Sequence, residues 1–195
     1  MTHDKDEIIR NEILANAQRL FQQYGLRKTT MDEIAVACGK AKSTLYYYFK
    51  SKEEVFDAVI QLETINLRKY VKEKVEEKKG LIPKIHTYMI EFHREVVNKT
   101  NLYRVVRQEN NAESVARKYF YQMLEYEKKY LIRIMEDSYD SGEYRGISRE
   151  DIPWMAELFF GAFYGAVIFI VDKEGFVDNE KLEKAADLFV PKLFS

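Results

Sequence analysis

Residues 29–52 read TTMDEIAVACGKAKSTLYYYFKSK, and their spacing predicts two short helices joined by a tight turn. Thr30 followed three positions on by Glu33 is a capping box. The threonine hydroxyl accepts an orphan backbone N–H and the glutamate reaches back to the cap residue, so a helix starts there. Its apolar positions, Ile34, Ala35 and Cys38, share a face, and Gly39 supplies the stop because glycine enters the left-handed conformation without steric cost. In a second helix over about 42–49, Leu45 and Phe49 are four apart and turn inward together, while Ser43, Thr44, Tyr47 and Tyr48 point away. Tyr46, Tyr47 and Tyr48 cannot all be core on a helix that turns about 100° per residue. A hydroxyl-rich face flanked by lysines suits phosphate oxygens and the thymine methyl, and helix, glycine turn, helix is the helix-turn-helix arrangement. The plainer alternative is an amphipathic helix with hydrated hydroxyls.

Around this stretch the sequence GKAKSTLYYYFKSKEEVFDAV, residues 39–59, resembles the signature of the TetR family of bacterial transcriptional regulators. Gly39, Thr44, Leu45, Tyr46, Tyr48, Phe49, Lys52 and Glu53 match it. So do Ala17, Leu20, Phe21 and Gly25 upstream and the pair Thr29 and Thr30. Two positions depart from it: Lys40 stands where the family usually has a small apolar residue, and Ala41 where it often has a serine that caps the second helix. The resemblance covers about the first third of the chain. It implies an all-α fold, with an N-terminal three-helix DNA-binding domain over 6–66, its motif at about 29–48, and a C-terminal helical ligand-binding and dimerisation domain over 67–195.

The residues before the motif fit a supporting helix. Ile9, Ile13, Ala17, Leu20, Phe21 and Tyr24 make an amphipathic stripe over 5–24 that Gly25 ends. The expected core of the head is Ile13, Ala17, Leu20, Phe21, Ile34, Ala35, Leu45 and Phe49. Ser51 with Glu54 is a second capping box, opening a helix through Val55, Phe56, Val59, Leu62 and Leu67 toward residue 79. Lys52 lies in its first turn, where the macrodipole already attracts phosphate.

Beyond Gly80 and Pro83 no strand alternation appears. Helices are expected around Ile85, Tyr88, Met89 and Phe92, over 114–139, from Ser148 through Pro153 and Trp154, and over 179–194, with a short segment across 101–111. Residues 154–171 are apolar nearly all round, which predicts burial on both sides. Gly161 with Gly165 and Ala162 with Ala166 place small residues four apart, near Phe169, and allow close approach of another helix. Intrachain packing is the ordinary reading. The resemblance implies a sharper one, a homodimer through the last two helices. Tyr88, Phe92, Phe120, Met123, Met135, Trp154, Phe159 and Phe163 read as core; the resemblance makes them candidate walls of a pocket for a small-molecule inducer, apolar or aromatic in character.

Composition narrows the class. Of 195 residues, 46% are hydrophobic and 14% aromatic, enough for a sizeable core. Residues 1–52 carry nine Lys or Arg and six Asp or Glu, net +3, and the remainder 22 and 26, net −4. That basic head on an acidic body fits a phosphate-binding end. Cys38 alone allows no disulfide within the chain and reads as a small core residue. The longest uncharged apolar run, 158–171, is short of the roughly 20 residues a membrane-spanning helix needs, so a cytoplasmic bacterial protein that contacts no membrane is expected. His86 and His93 lack the spacing of a metal site and read as surface histidines. No phosphate-cradling glycine loop and no nucleophile with a base is present, so neither an enzyme nor a cofactor is expected.

The expectation is therefore a transcriptional repressor that a ligand releases from a palindromic double-stranded DNA operator. Lys42, Ser43, Thr44, Tyr47 and Tyr48 face the major groove, and Thr30, Tyr46 and Lys52 hold phosphates. Two other readings stay open: a DNA-binding architectural or cell-division factor without an inducer, and a ligand-binding protein whose reading head has decayed.

Overall fold

A computed structural model describes the backbone of residues 2–98, 115–170 and 178–194, and their side chains except near the ends of those stretches. Every regular element among the described residues is helical. They are α1 (Thr2–Lys28), α2 (Met31–Ala37), α3 (Lys42–Tyr48), α4 (Lys52–Glu76), α5 (Leu81–Asn98), α6 (Val115–Asp140), a 3-10 turn (Arg149–Asp151), α7 (Ile152–Ile170) and α8 (Asn179–Leu193). The segment expected across 101–111 lies outside the described residues. Contacts divide the chain into two compact units, one reaching to Asn66 and the other beginning at Leu67. No described helix is long and apolar enough to cross a membrane.

In the first unit α1 supplies Ile13, Leu14, Ala17 and Phe21, α2 Ile34 and Ala35, and the α3 end Leu45 and Phe49, all buried. The first half of α4 adds Val55, Phe56, Val59 and Ile60, with Phe56 edge-on to Phe21 at 5.0 Å between ring centroids. Leu20 is only half-buried and Tyr24 is exposed, so the stripe expected on α1 is narrower at that end and takes in Leu14 instead. The backbone leaves helical geometry at Gly25 (φ 78°, ψ 164°). Buried Thr29 seals the break, its N–H and hydroxyl both donating to the Gly25 carbonyl at 3.3 and 2.9 Å.

In the second unit the inner faces of α5 (Leu81, Ile85, Tyr88, Met89, Phe92), α7 (Ile152, Ala156, Phe159, Phe160, Phe163) and α8 (Leu182, Ala186, Val190) form an aromatic-rich core. Tyr88 stacks on Phe92 at 5.4 Å, and Phe159 on Phe163 at 6.0 Å. Three expectations are corrected here. First, within the single chain α7 is covered on one side only: Trp154 is 70% and Leu158 64% exposed, while Phe159, Phe160 and Phe163 face inward. Second, Ser148 precedes a 3-10 turn rather than capping the helix directly; its hydroxyl donates to the Asp151 carboxylate at 2.7 Å, and α7 begins at Ile152 with Pro153 in its first turn. Third, His93 is buried, only 7% exposed, and lies edge-on to Phe163 at 5.8 Å. His86 is half-buried and meets Asp187 of α8 at 2.9 Å.

On α6 the inward positions are Met123, Glu127, Leu131, Ile134 and Met135, while Tyr126 turns outward. Arg68 holds both Tyr126 and Glu127. Its guanidinium lies 3.7 Å from the centroid of the Tyr126 ring, and its Nε donates to Glu127 at 3.2 Å. The buried Glu127 carboxylate also accepts from the Tyr88 hydroxyl at 3.2 Å. Burial pushes the Glu127 carboxyl up, and the Arg68 and Tyr88 bonds oppose that shift.

Candidate nucleic-acid interface

The two helices of the motif are set by their ends. At the start of α2 the Thr30 hydroxyl accepts from Glu33 N–H at 3.2 Å, and the Glu33 carboxylate accepts from Thr30 N–H at 2.8 Å, closing the capping box read from the sequence. At its end Gly39 takes φ 61°, and Gly39 N–H and Lys40 N–H donate to the carbonyls of Val36 and Ala35, both at 3.0 Å. That pair of bonds is a Schellman stop. A Cβ at Gly39 would meet nothing within 4 Å, so glycine is required there by the backbone angle and not by space. The chain then enters α3 at Ala41, which makes no side-chain cap bond.

α3 buries Leu45 and leaves the rest of its surface outward. Lys42, Ser43, Tyr46 and Tyr47 are exposed, Tyr47 at 70%, and Thr44 and Tyr48 are half-buried. The Tyr47 and Tyr48 rings meet edge-to-face at 5.0 Å. The six expected contact residues of α3 thus share one short helix, and three of the expected polar groups, counting that of Thr30, are already engaged. Lys42 Nζ is 2.6 Å from the Asp32 carboxylate, which raises the lysine's affinity for its proton. The Tyr48 hydroxyl donates to Asp6 of α1 at 2.8 Å and its pKa is pushed up to about 12, chiefly by that bond. The Thr30 hydroxyl is held in the capping box and donates to Glu33 at 2.9 Å. Lys52 is half-buried in the first turn of α4. There Ser51 Oγ accepts from Glu54 N–H at 3.2 Å, and the Glu54 carboxylate reaches past it to Lys50 N–H at 2.6 Å.

Sequence reasoning missed the partners. Asp32 precedes Lys42 by ten residues and Asp6 precedes Tyr48 by 42, and no helical spacing rule links such positions. Lys40 gains an explanation in the same way: it meets Glu12 of α1 at 3.0 Å, tying the turn to the supporting helix. Cys38 is half-buried, and its thiol pKa is raised mainly by burial. No group of three or more His, Cys, Asp or Glu suited to a metal occurs among the described residues.

Of the candidate pocket residues, Tyr88, Phe92, Met123, Met135, Phe159 and Phe163 are buried together in the second unit, whereas Trp154 lies on the outer face of α7. Among the candidate dimer residues Gly161 and Ala162 are exposed and Gly165 and Ala166 half-buried, continuing the outward line of Trp154 and Leu158. The side chains of Phe120 and Phe169 lie outside the described residues.

Residues 13–59 match the family model of bacterial regulatory proteins, tetR family. The chain is 40% identical over 65 residues to the uncharacterized HTH-type transcriptional regulator YhgD of Bacillus subtilis (strain 168); the match covers 33% of this chain and 32% of that protein. Similarity to this curated relative thus spans about a third of its length. Solved structures extend the likeness in fold to nearly the whole chain. A transcriptional regulator from Cytophaga hutchinsonii superposes with a TM-score of 0.68 at 26% identity, over 98% of this chain and 99% of that one. The regulator FadR from Bacillus subtilis, solved in complex with stearoyl-CoA, superposes with a TM-score of 0.65 at 20% identity, over 94% and 97%. With the capped helix-turn-helix in place, residues 13–59 form a head of the tetR-family type, and the rest of the chain shares the fold of solved transcriptional regulators.

Proposed function

We propose that the protein is a homodimeric cytoplasmic repressor that occupies a palindromic operator and leaves it when a small apolar or aromatic ligand binds the second unit. The observation that carries the DNA half is the outward face of α3: Ser43, Tyr46 and Tyr47 are exposed, while Leu45 and the capping Phe49 anchor the helix. In this reading Ser43, Thr44 and Tyr47 reach base edges, while Lys42 and Tyr48, which the sequence placed at the major groove, hold backbone phosphates there together with Thr30, Tyr46 and Lys52. Two heads related by a two-fold axis fit half-sites about 34–36 Å apart or a multiple of that. The apolar outer line of α7, Trp154, Leu158, Gly161 and Ala162, together with exposed Leu188 on α8, supports self-association. Catalysis forms no part of this reading.

Support for a ligand comes from the second unit. His93 Nε2 is buried with no hydrogen-bond partner among the described residues, and burial lowers its pKa to about 4, so at neutral pH it offers an uncharged polar atom in apolar surroundings. The complex of the similarly folded FadR with stearoyl-CoA fits a ligand with a long apolar part. α4 carries residues of both units and is the coupling element, with about 1–3 kcal/mol of coupling expected.

The test is selection of bound genomic fragments by the purified protein at stated, near-physiological salt, followed by titration of the selected duplex with acyl-CoA thioesters and aromatic compounds. A palindromic site released roughly 5- to 150-fold by one ligand class supports the reading. Many scattered sites that no ligand releases would replace it with the architectural reading, and the absence of enriched DNA would remove the DNA half.

A further inference from the structure

The first and last residues of α3 each present a polar group to a carboxylate from another helix, Lys42 to Asp32 and Tyr48 to Asp6. Both members of the Lys42–Asp32 pair are more than half exposed, at 58% and 64%. An exposed ion pair contributes only about 0.2–1 kcal/mol to stability, so folding alone gives little reason for it. A carboxylate and a phosphate diester offer the same thing to a lysine or a tyrosine: a delocalised negative charge on oxygen acceptors at hydrogen-bonding distance. Between the two ends lie the exposed Ser43, Tyr46 and Tyr47.

We infer that Asp32 and Asp6 occupy, in the DNA-free head, the places of two DNA backbone phosphates, one at each end of α3, and must be displaced when duplex binds. The inference rests on the DNA-binding reading above. It assigns to Asp32 and Asp6 the role of lowering affinity for duplex. In the free protein Lys42 is already neutralised, so its contact with phosphate releases fewer counterions from DNA than a lysine without an acidic neighbour would. Asp6 acts without a formal pair, through the acceptor bond that holds the Tyr48 hydroxyl, and its charge opposes an approaching phosphate.

The test uses the full chain and a generic 30-base-pair duplex, with binding followed by fluorescence anisotropy over a salt series. Asp32→Asn keeps the side-chain shape and is expected to tighten binding about fivefold, the upper end of what releasing an exposed pair gives. It should also steepen the salt dependence by about 0.9 in log–log slope. In a Lys42→Met background the same change should give less than about twofold, since only a screened charge remains. Asp6→Asn should tighten binding with Tyr48 present and do so less in Tyr48→Phe. Equal gains in both backgrounds would reduce the carboxylates to bare repulsive charges and overturn the inference, as would unchanged affinity and slope in a wild type that binds duplex. A wild type that binds no duplex would instead sink the DNA reading itself.

Discussion

Both units bury some polar groups, Thr29 and Glu63 in the head among them, but they differ in where the groups that bear on function lie. In the head the polar side chains that matter lie at the surface and are short of neither partners nor water: Thr30 is closed on Glu33, Lys42 on Asp32, Tyr48 on Asp6. In the second unit the notable ones are inside. Glu127 is buried and held by Arg68 and Tyr88, and His93 Nε2 has no partner among the described residues. A surface that must exchange partners with a polyanion costs little to keep in readiness, because water stands in for each lost bond. A buried polar atom without a partner costs about 1–3 kcal/mol, so it persists only where something other than stability retains it. Exposure and orphaned burial are thus the two marks by which these units present their chemistry.

Four experiments would break or sharpen that contrast. The largest effect should come from the second unit's core: Phe159→Ala removes a fully buried ring stacked on Phe163 and should destabilise by about 3–5 kcal/mol, read by denaturant unfolding. Next is the pH dependence set by His93. Its pKa falls from 6.5 to about 4 on folding, so between those values the unfolded chain binds the proton that the folded chain refuses. Stability should therefore be whole above about pH 6.5 and decline as pH falls toward 4, by about 2 kcal/mol once the group's residual exposure is discounted. His93→Leu should flatten that decline in thermal melts taken across the range; an unchanged profile would mean that His93 is not the titrating group. In the head the effects are smaller. Thr30→Ala opens the capping box and should cost about 1 kcal/mol, and Thr30→Ser should restore most of it. Smallest is a gain: Ala41→Ser, which supplies the missing cap of α3, should add about 0.5–1 kcal/mol in the same assay.

Local chemistry made the head readable from sequence. The Thr30–Glu33 box, the Gly39 stop and the Leu45–Phe49 pair are each decided within a few residues, and the structure contains all three. What lay beyond reach was anything joining distant helices: the Asp6–Tyr48 and Lys40–Glu12 contacts span α1 and the motif, and composition gives no register for them. In the second unit hydrophobicity marked α7 without showing which side is covered, since Trp154 and Phe159 are both apolar in sequence but Phe159 is buried and Trp154 is 70% exposed. His93 was misread for a related reason. A histidine in a chain offers no sign of its burial, which here depends on Phe163, 70 residues away.

α4 carries a consequence for how the chain tolerates change. The division between the units falls at Asn66 and Leu67, inside one continuous helix from Lys52 to Glu76, where a flexible linker would ordinarily stand. A single inserted residue there would turn every later side chain of the helix by about 100° and advance it by about 1.5 Å. Val55, Val59 and Ile60 before the boundary and Leu67, Val71 and Val75 after it are all buried, so one unbroken helix serves two cores. A helix breaker at the boundary, such as Asn66→Pro, should accordingly cost about 3 kcal/mol or more in denaturant unfolding, because both cores draw side chains from this helix.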